Sequence, residues 1–177
     1  HLAEALFPGA YVLDAACGTG KYWGFLKEAG LNPVGVDQSS AMLARLKSKY
    51  PGALVYEQSL QQLSLERRFH GAICVDAMEN IPPEDWPVVL ERLTRHLVSH
   101  GLLYLTVEIE GEERLNAAYE EAKNLGLPVV YGEVVLDGYH YYPSERAVRN
   151  WLHGASLTVR DEGTGDGYWH LLCQLTR

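Results

Sequence analysis

Short apolar runs alternate with segments of helical period along most of the chain, and this alternation limits the possible folds more than any other feature. The runs predicted as strands cover residues 11–15, 33–37, 53–57, 71–76 and 102–109. Alternating strands and helices are typical of an α/β protein, in which a mostly parallel sheet carries helices on both faces. The sequence therefore predicts a doubly wound, Rossmann-like sheet.

The end of the chain departs from the parallel pattern. Two strand-like runs, 157–162 and 168–176, are separated only by the sequence GTGDG. A parallel crossover needs a dozen or more residues, so these two runs must pair as an antiparallel hairpin. No internal repeat, low-complexity tract or linker divides the chain, and residues 1–177 are expected to form a single domain.

Helices are predicted from apolar side chains that recur on one face. The clearest face follows Pro82 and Pro83, and it consists of Trp86, Val89, Leu90, Leu93 and Leu97. Two earlier faces hold Tyr22, Phe25, Leu26 and Ala29 and, after a Ser39–Ser40 cap signal, Met42, Leu46 and Tyr50. A further short helix is predicted over residues 144–153.

Composition and charge argue against several kinds of partner. The chain has 15 Lys and Arg against 23 Asp and Glu, a net charge of -8, and no basic stripe, so nucleic acid is not expected as a partner. No apolar run approaches the roughly 18 residues of a membrane span, and the first residues lack a signal-peptide pattern, so a cytoplasmic location without membrane association is expected. The three cysteines suit reduced thiols, and no cluster has metal-ligand spacing.

A glycine-rich turn follows the first predicted strand, in the sequence VLDAACGTGKYWG at residues 12–24. Glycines ahead of a helix let a ligand approach the backbone, whose free N–H groups are donors. Asp14 would lie beside this turn, where an ionised carboxylate repels a diphosphate and attracts a cation. Capping of the turn's own N–H groups by Asp14 is an equal alternative.

A second acid, Asp37, ends the second predicted strand, where a doubly wound fold places a carboxylate that binds both ribose hydroxyls. The two acids together favour an adenosine whose other end is positive. A nicotinamide-dependent oxidoreductase is the alternative, because Gly18, Gly20 and Gly24 differ by one residue from the dinucleotide fingerprint.

These motifs closely resemble those of a known family. VLDAACGTG at residues 12–20 and GVDQSSAMLARLKSKYP at residues 35–51 are similar to the first two motifs of class I S-adenosylmethionine-dependent methyltransferases. The resemblance continues through AICVDAMENIP and LLYLTVEI to the final hairpin, so it covers essentially the whole chain. It implies a seven-stranded sheet of order 3-2-1-4-5-7-6 with strand 7 antiparallel, and S-adenosyl-L-methionine as cofactor. Many relatives begin with a helical lid, which is expected to be absent or trimmed here.

The resemblance also implies which residues contact the cofactor. Asp14 matches the acid near the amino-acid part of the cofactor, and Asp37 matches the ribose acid. The other implied contacts are Ala16, Cys17, Gly18 and Gly20 around the amino-acid part, Gln38 and Met42 beside the adenine, and Asp76, Ala77 and Met78 near the methyl group.

One position departs from the family pattern. After the third strand, many relatives carry an acid that binds the adenine amino group, whereas this chain has Ser59 and Leu60. A hydroxyl or backbone contact would then hold the adenine, or Ser59 would only cap a short helix.

Candidate catalytic residues lie in two places in the sequence. His140 stands among the phenols of GYHYYP, where with Tyr139 it could accept a proton or orient an acceptor, although packing is the commoner role of such aromatics. Glu79 follows the fourth strand and, by the resemblance, faces the methyl-transfer cleft, or else belongs to the start of the next helix.

The expected function is therefore methyl transfer to O, N or C of a small molecule, with S-adenosylhomocysteine as product. The alternatives are an NAD(P)-dependent oxidoreductase and a non-catalytic S-adenosylmethionine-binding module. The sequence leaves the oligomeric state open.

Overall fold

A seven-stranded mixed sheet organises the computed structural model, which describes residues 2–136 and 138–177; residues 1 and 137 of the predicted domain lie outside the described part. The strands of the chain are β1 (Tyr11–Ala15), β2 (Asn32–Asp37), β3 (Val55–Glu57), β4 (Phe69–Cys74), β5 (Leu97–Glu108), β6 (Glu133–Val134), β7 (His140–Tyr141), β8 (Leu157–Gly165) and β9 (Tyr168–Leu175). The sheet order is β3-β2-β1-β4-β5-β9-β8, and β9 runs antiparallel to both β5 and β8. The predicted fold class and strand order are confirmed, since β8 and β9 are the sixth and seventh strands of this sheet.

Five helices connect the strands of the described part of the chain. They are α1 (Trp23–Glu28), α2 (Ser40–Lys49), α3 (Trp86–Arg95), α4 (Glu112–Asn124) and α5 (Glu145–Gly154). The predicted cap of α2 is present, because the Met42 N–H donates to Ser39 Oγ at 3.3 Å. Ser144 caps α5 in the same way, accepting from the Ala147 N–H at 3.3 Å. None of these helices has the length and apolarity needed to cross a membrane.

The predicted faces of the first two helices were partly wrong. In α1 the buried side chains are Trp23 and Leu26, while Phe25 is 62% exposed. In α2 they are Leu43 and Leu46, while Met42 is 40% exposed. The spacing of apolar residues predicts which side chains share a helix face. It does not show which of them the sheet covers.

The main core lies between β4, β5 and helix α3. The predicted stripe from Trp86 to Leu97 is fully buried, as expected. The Trp86 ring lies 5.1 Å from the Trp151 ring of α5 and 6.4 Å from the Tyr141 ring of β7, centroid to centroid. This aromatic group fixes β7 against the body of the sheet.

A short ribbon, β6–β7, was not predicted. Its two strands pair antiparallel, with Glu133 opposite Tyr141 and Val134 opposite His140. The ribbon packs against a 3-10 turn, Met78–Asn80, which follows β4 and also contacts β5. The aromatic stretch around His140 is thereby brought beside the carboxyl ends of β4 and β5.

Candidate functional site

A cleft of about 560 Å³ opens where β1, β2 and β4 end. The carboxyl ends of parallel strands in a doubly wound sheet are the usual place for a ligand. Its lining includes all but two of the predicted cofactor contacts: Asp14, Ala16, Cys17, Gly18, Asp37, Gln38, Met42, Ser59, Leu60, Asp76 and Ala77.

The structure places the other two, Gly20 and Met78, away from the cleft wall. Gly20 has a φ of 74°, and a Cβ on it would lie 3.1 Å from Leu46 Cγ, so this glycine lets the turn pack closely on α2. Met78 is fully buried in the main core. The prediction that these two residues line the cofactor site is therefore corrected: Gly20 packs against α2 and Met78 lies in the core.

Asp14 lies at the base of the cleft and is only 3% exposed. The Trp23 indole N–H donates to its Oδ2 at 2.8 Å, so Asp14 does not cap the turn in the way that the alternative interpretation required. Burial raises the pKa of Asp14 to about 7; the indole bond acts in the opposite direction, and the nearby Asp37 adds to the rise. A cation in the cleft would favour the charged form of this carboxyl.

Asp37 takes the capping role instead. Its Oδ2 accepts from the Gly18 N–H and its Oδ1 from the Ser39 N–H, both at 2.8 Å. These bonds tie the glycine turn to the start of α2. A carboxylate has about four acceptor sites, so the side chain retains capacity for two hydroxyl groups.

Two residues that follow strands into the cleft have left-handed backbone conformations. Ala16 follows β1 with a φ of 58°, and Asp76 lies just beyond β4 with a φ of 56°. Such conformations cost about 1–2 kcal/mol for residues other than glycine, and they concentrate at functional sites. Asp76 is held there by two bonds: its N–H donates to Thr106 Oγ1 at 2.9 Å, and its Oδ1 accepts from the Tyr168 hydroxyl.

Cys17 forms part of the wall as a neutral thiol. Burial raises the pKa of this thiol well above its usual range, and Asp14 and Asp37 act in the same direction. Its Sγ lies against Gly35 of β2, where an added Cβ would come within 2.7 Å. The residue therefore packs the turn onto the sheet.

The opposite end of the cleft is bordered by Gln38, Met42, Ser59 and Leu60. Ser59 precedes a 3-10 turn, Leu60–Gln62, but its side chain makes no capping bond there. The capping interpretation of Ser59 is therefore not supported, and the residue lines the cleft.

Sequence reasoning did not assign several polar residues of the lining to the cofactor site, namely Thr19, Lys21, Ser39, Gln58, Gln61 and Asn80. Lys21 stands next to Tyr22 at the end of the glycine turn, with its Nζ 5.4 Å from the centre of the Tyr22 ring. Lys21 directly follows the motif at residues 12–20, and Asn80 lies within the motif AICVDAMENIP, so their positions in the motifs were the available signal.

The three predicted catalytic residues do not line this cleft but lie beyond Asp76. The Glu79 side chain is buried, and its Oε1 accepts from Asn80 Nδ2 at 3.0 Å. Half-buried His140 has its Nδ1 2.8 Å from Glu108 Oε2. Tyr139 is turned away from both, because its hydroxyl donates to Glu133 Oε1 at 2.8 Å, and burial raises its pKa. The structure thus brings Glu79 and His140 together, and it separates Tyr139 from them.

The sequence matches known methyltransferases over its first half and more. Residues 12–101 match the profile of a family described as "Methyltransferase domain". A curated relative, dTDP-3-amino-3,6-dideoxy-alpha-D-glucopyranose N,N-dimethyltransferase of Streptomyces fradiae, is 28% identical over 96 residues. The match covers 53% of this chain and 38% of that protein, so the chain spans well under half of the relative's length.

Solved structures share the whole fold. A S-adenosylmethionine-dependent methyltransferase of Methanosarcina mazei superposes with a TM-score of 0.78 at 16% identity, covering 97% of this chain and 94% of that one. The 1,6-didemethyltoxoflavin-N1-methyltransferase of Burkholderia thailandensis, solved with its substrate and S-adenosylhomocysteine, gives 0.74 at 19% identity, covering 99% and 75%. At such identities the likeness establishes the fold.

Proposed function

The chain belongs to the family of methyltransferase domains, and from that premise we propose that it transfers a methyl group from S-adenosyl-L-methionine to a small-molecule acceptor. The observation that carries this proposal is that Asp14 and Asp37 line one cleft together with Gly18 of the glycine turn, whose N–H donates to Asp37. The product would be S-adenosylhomocysteine. In this proposal residues 1–177 act as one methyltransferase domain.

The charges of the cleft fit this cofactor better than a dinucleotide. Asp14, Asp37 and Asp76 line it, and Lys21 is the one basic side chain among the described lining residues. Three carboxylates would repel a diphosphate, whereas they attract an ammonium and a sulfonium. Lys21 has the sign needed for the carboxylate of the methionine part, and Asp37 has free acceptor sites for the ribose.

The apolar end of the cleft suits the adenine. The side chains of Met42 and Leu60 offer apolar contact to the adenine ring. The Ser59 hydroxyl and the Gln38 side chain offer polar contacts at the rim. Ala16, Cys17 and Gly18 then form the wall beside the amino-acid part, with Asp76 and Ala77 close to the reacting end.

The bound cofactor would supply an electrophilic methyl group, so the chain's own residues need mainly to position the acceptor and exclude water. Glu79 and His140 are the proposed proton-handling residues. Burial raises the pKa of Glu79 to about 7, and the neighbouring charges of Asp76 and Glu108 act in the same direction. A carboxyl with such a pKa can accept a proton near neutral pH. Tyr139 has a smaller role in this proposal, since it is bound to Glu133.

Small molecules are the proposed acceptors. The Streptomyces relative is named for a sugar nucleotide, and the Burkholderia enzyme was solved with 1,6-didemethyltoxoflavin. The net charge of -8 weighs against nucleic acid as a partner. We place the protein in the cytoplasm, away from membranes.

Binding of S-adenosylhomocysteine tests the proposal directly. At 100 times its dissociation constant a ligand adds about 2.7 kcal/mol of stability, which a thermal unfolding experiment resolves. S-adenosylhomocysteine should stabilise the protein and NAD should not. Asp37→Ala should lower the affinity at least about 100-fold, because two bonds to a charged acceptor are lost. Glu28→Ala, at an exposed position of helix α1, is the control.

The possible outcomes separate the alternatives. Stabilisation by NAD alone would support the oxidoreductase, and the methyltransferase proposal would be wrong. Binding of S-adenosylhomocysteine without transfer of labelled methyl groups to any compound of a metabolite panel would support the non-catalytic binding module.

A further inference from the structure

We propose, on the basis of the proposed function, that the methyl acceptor is an amine whose ammonium group binds at an acidic cluster beside the cleft, formed by Asp76, Glu79 and Glu108. The proposal narrows the acceptor from any small molecule to one chemical class. It depends on how three separate elements meet at the carboxyl ends of β4 and β5.

The three carboxylates come from different parts of the chain and meet around Tyr168. Asp76 accepts from the Tyr168 hydroxyl, and Glu108 lies directly opposite Tyr168 in the β5–β9 pairing. Burial is the main cause of the raised pKa of the Tyr168 phenol, and Asp76, Glu79 and Glu108 all act in the same direction. Asp76 also lines the cofactor cleft, so the acidic cluster adjoins the place where the methyl group would be presented.

The cluster has an excess of negative charge. The basic side chain bonded to it is His140, whose Nδ1 lies 2.8 Å from Glu108 Oε2. Arg114 acts on Tyr142 at the edge of the cluster, but its guanidinium is paired with Glu110. An anionic acceptor would be repelled here, and an ammonium group would be attracted.

A second observation concerns Glu79. Its Oε2 is buried without a hydrogen-bond partner, and it is the one such side-chain atom in the described part of the chain. An unsatisfied buried acceptor costs about 1–3 kcal/mol, and a bound donor would recover that cost. An ammonium group has three N–H donors, whereas an alcohol has one. Asp76, Glu108 and His140 all act electrostatically on this carboxyl, so the unpartnered atom belongs to the same cluster.

A metal ion is the other occupant that an acidic cluster suggests. Within residues 2–136 and 138–177, no three His, Cys, Asp or Glu side chains are arranged so that they could hold one. An ammonium group needs a direct hydrogen bond to only one of the carboxylates and is attracted by the others at longer range, whereas a metal ion needs several of them at coordination distance.

The chemistry balances with Glu79 as the base. The Glu79 carboxylate takes one proton from the ammonium group, which leaves a neutral amine with a lone pair and a neutral carboxyl. The lone pair forms the new N–C bond while the C–S bond breaks and its electron pair stays on sulfur. Glu79, with a pKa raised by burial to about 7, suits this proton transfer near neutral pH.

The test compares cyclohexylamine and cyclohexanol, which have the same ring and differ in charge. Both are titrated by ligand-observed NMR into the full chain saturated with S-adenosylhomocysteine. The amine should bind at least about tenfold more tightly than the alcohol. Glu79→Gln should lower amine affinity about tenfold, and Glu91→Gln, which removes an exposed carboxylate of α3, should change it by less than about twofold.

The affinity for S-adenosylhomocysteine is measured in every variant, and it should be unchanged in Glu79→Gln, which also shows that this variant is folded. Should Glu79→Gln fail to fold, the comparison of amine with alcohol on the unaltered chain still decides. Equal binding of the two probes, equal loss in both variants, or displacement of the amine by Mg²⁺ alone would overturn the inference and leave the proposed function intact. If S-adenosylhomocysteine does not bind the unaltered chain, the proposed function itself fails.

Discussion

Replacement of Asp14 by asparagine should make the protein more stable and its cofactor site weaker at the same time. The amide has nearly the same shape, and its Oδ1 can still accept from the Trp23 indole N–H that now bonds the carboxylate at 2.8 Å. What Asp14→Asn removes is the possibility of charge. The expected increase in the free energy of unfolding therefore measures how much an ionisable carboxylate at the base of the cleft destabilises the fold.

The size of the gain follows from the pKa. The pKa of Asp14 is raised from the model-compound value of 3.8 to about 7, chiefly by burial. A difference of one pKa unit corresponds to about 1.4 kcal/mol, so ionised Asp14 costs up to about 4 kcal/mol at pH 8. The amide N–H groups need partners of their own, and we expect Asp14→Asn to recover about 1–4 kcal/mol, or roughly 2–16 °C in Tm.

The sign of the pH dependence distinguishes this cause from others. Because the folded-state pKa is higher than the unfolded-state value, the folded protein retains the Asp14 proton over a range where the unfolded chain has lost it. The stability that protonated Asp14 contributes to the folded protein is therefore fully present below about pH 4, and it is lost as the pH rises through 7. The difference in unfolding free energy between Asp14→Asn and the unaltered chain should be near zero at pH 4 and largest at pH 8.

Urea unfolding at several pH values measures this difference, with Glu28→Gln at an exposed position of helix α1 as the control. Titration with S-adenosylhomocysteine at pH 8 supplies the second readout, in which Asp14→Asn should bind at least about tenfold more weakly. A variant that is less stable than the unaltered chain at pH 8, or a stability difference that does not change with pH, would refute the reasoning.

Three further predictions concern side-chain packing. Gly35→Ala should cost about 1–3 kcal/mol in urea unfolding, because the new Cβ would meet Cys17 Sγ at 2.7 Å, whereas Gly163→Ala has open space and should cost less; equal costs would contradict the packing argument. The thiols of Cys17, Cys74 and Cys173 are buried with raised pKa values, so a thiol reagent should label them rapidly only after denaturation, and fast labelling of the native protein would show that the turn opens. Trp86→Ala should cost about 3–5 kcal/mol and loosen the β6–β7 ribbon, seen as faster amide exchange at Tyr141; unchanged exchange there would show that Trp86 does not hold the ribbon.

The sheet was predictable because its signals are local. Each strand up to β5 is a short apolar run, and the loop GTGDG is too short for anything but a hairpin. Asp37 could be placed from its position at the end of β2 alone. The β6–β7 ribbon could not be foreseen, because two residues in each strand leave no alternating pattern to recognise.

Side-chain roles within the turns were harder to predict, since they depend on contacts between distant residues. The Asp14 carboxylate is oriented by its bond to the Trp23 indole N–H. Glu108 contacts His140, which lies 32 residues later in the sequence. Adjacent residues of one turn also diverge: Ala77 faces the cleft while Met78 is fully buried. In a 3-10 turn consecutive side chains point about a third of a revolution apart, so neighbours in sequence need not share an environment.

Asp14 and Glu79 connect the energetics of the fold with those of the site. Both are buried acids whose pKa is raised to about 7, one at the end of β1 and one in the turn after β4. Ionisation of either acid lowers the stability of the folded protein. Each acid also lies beside a position where the proposals put a positive charge. Binding of a cation at either position would lower the pKa of its acid and release a proton, so affinity should rise with pH over the range in which stability falls. The well-packed core around α3 provides free energy of unfolding that offsets the ionisation of the two acids. Binding of positively charged ligands would restore the stability that ionisation removes.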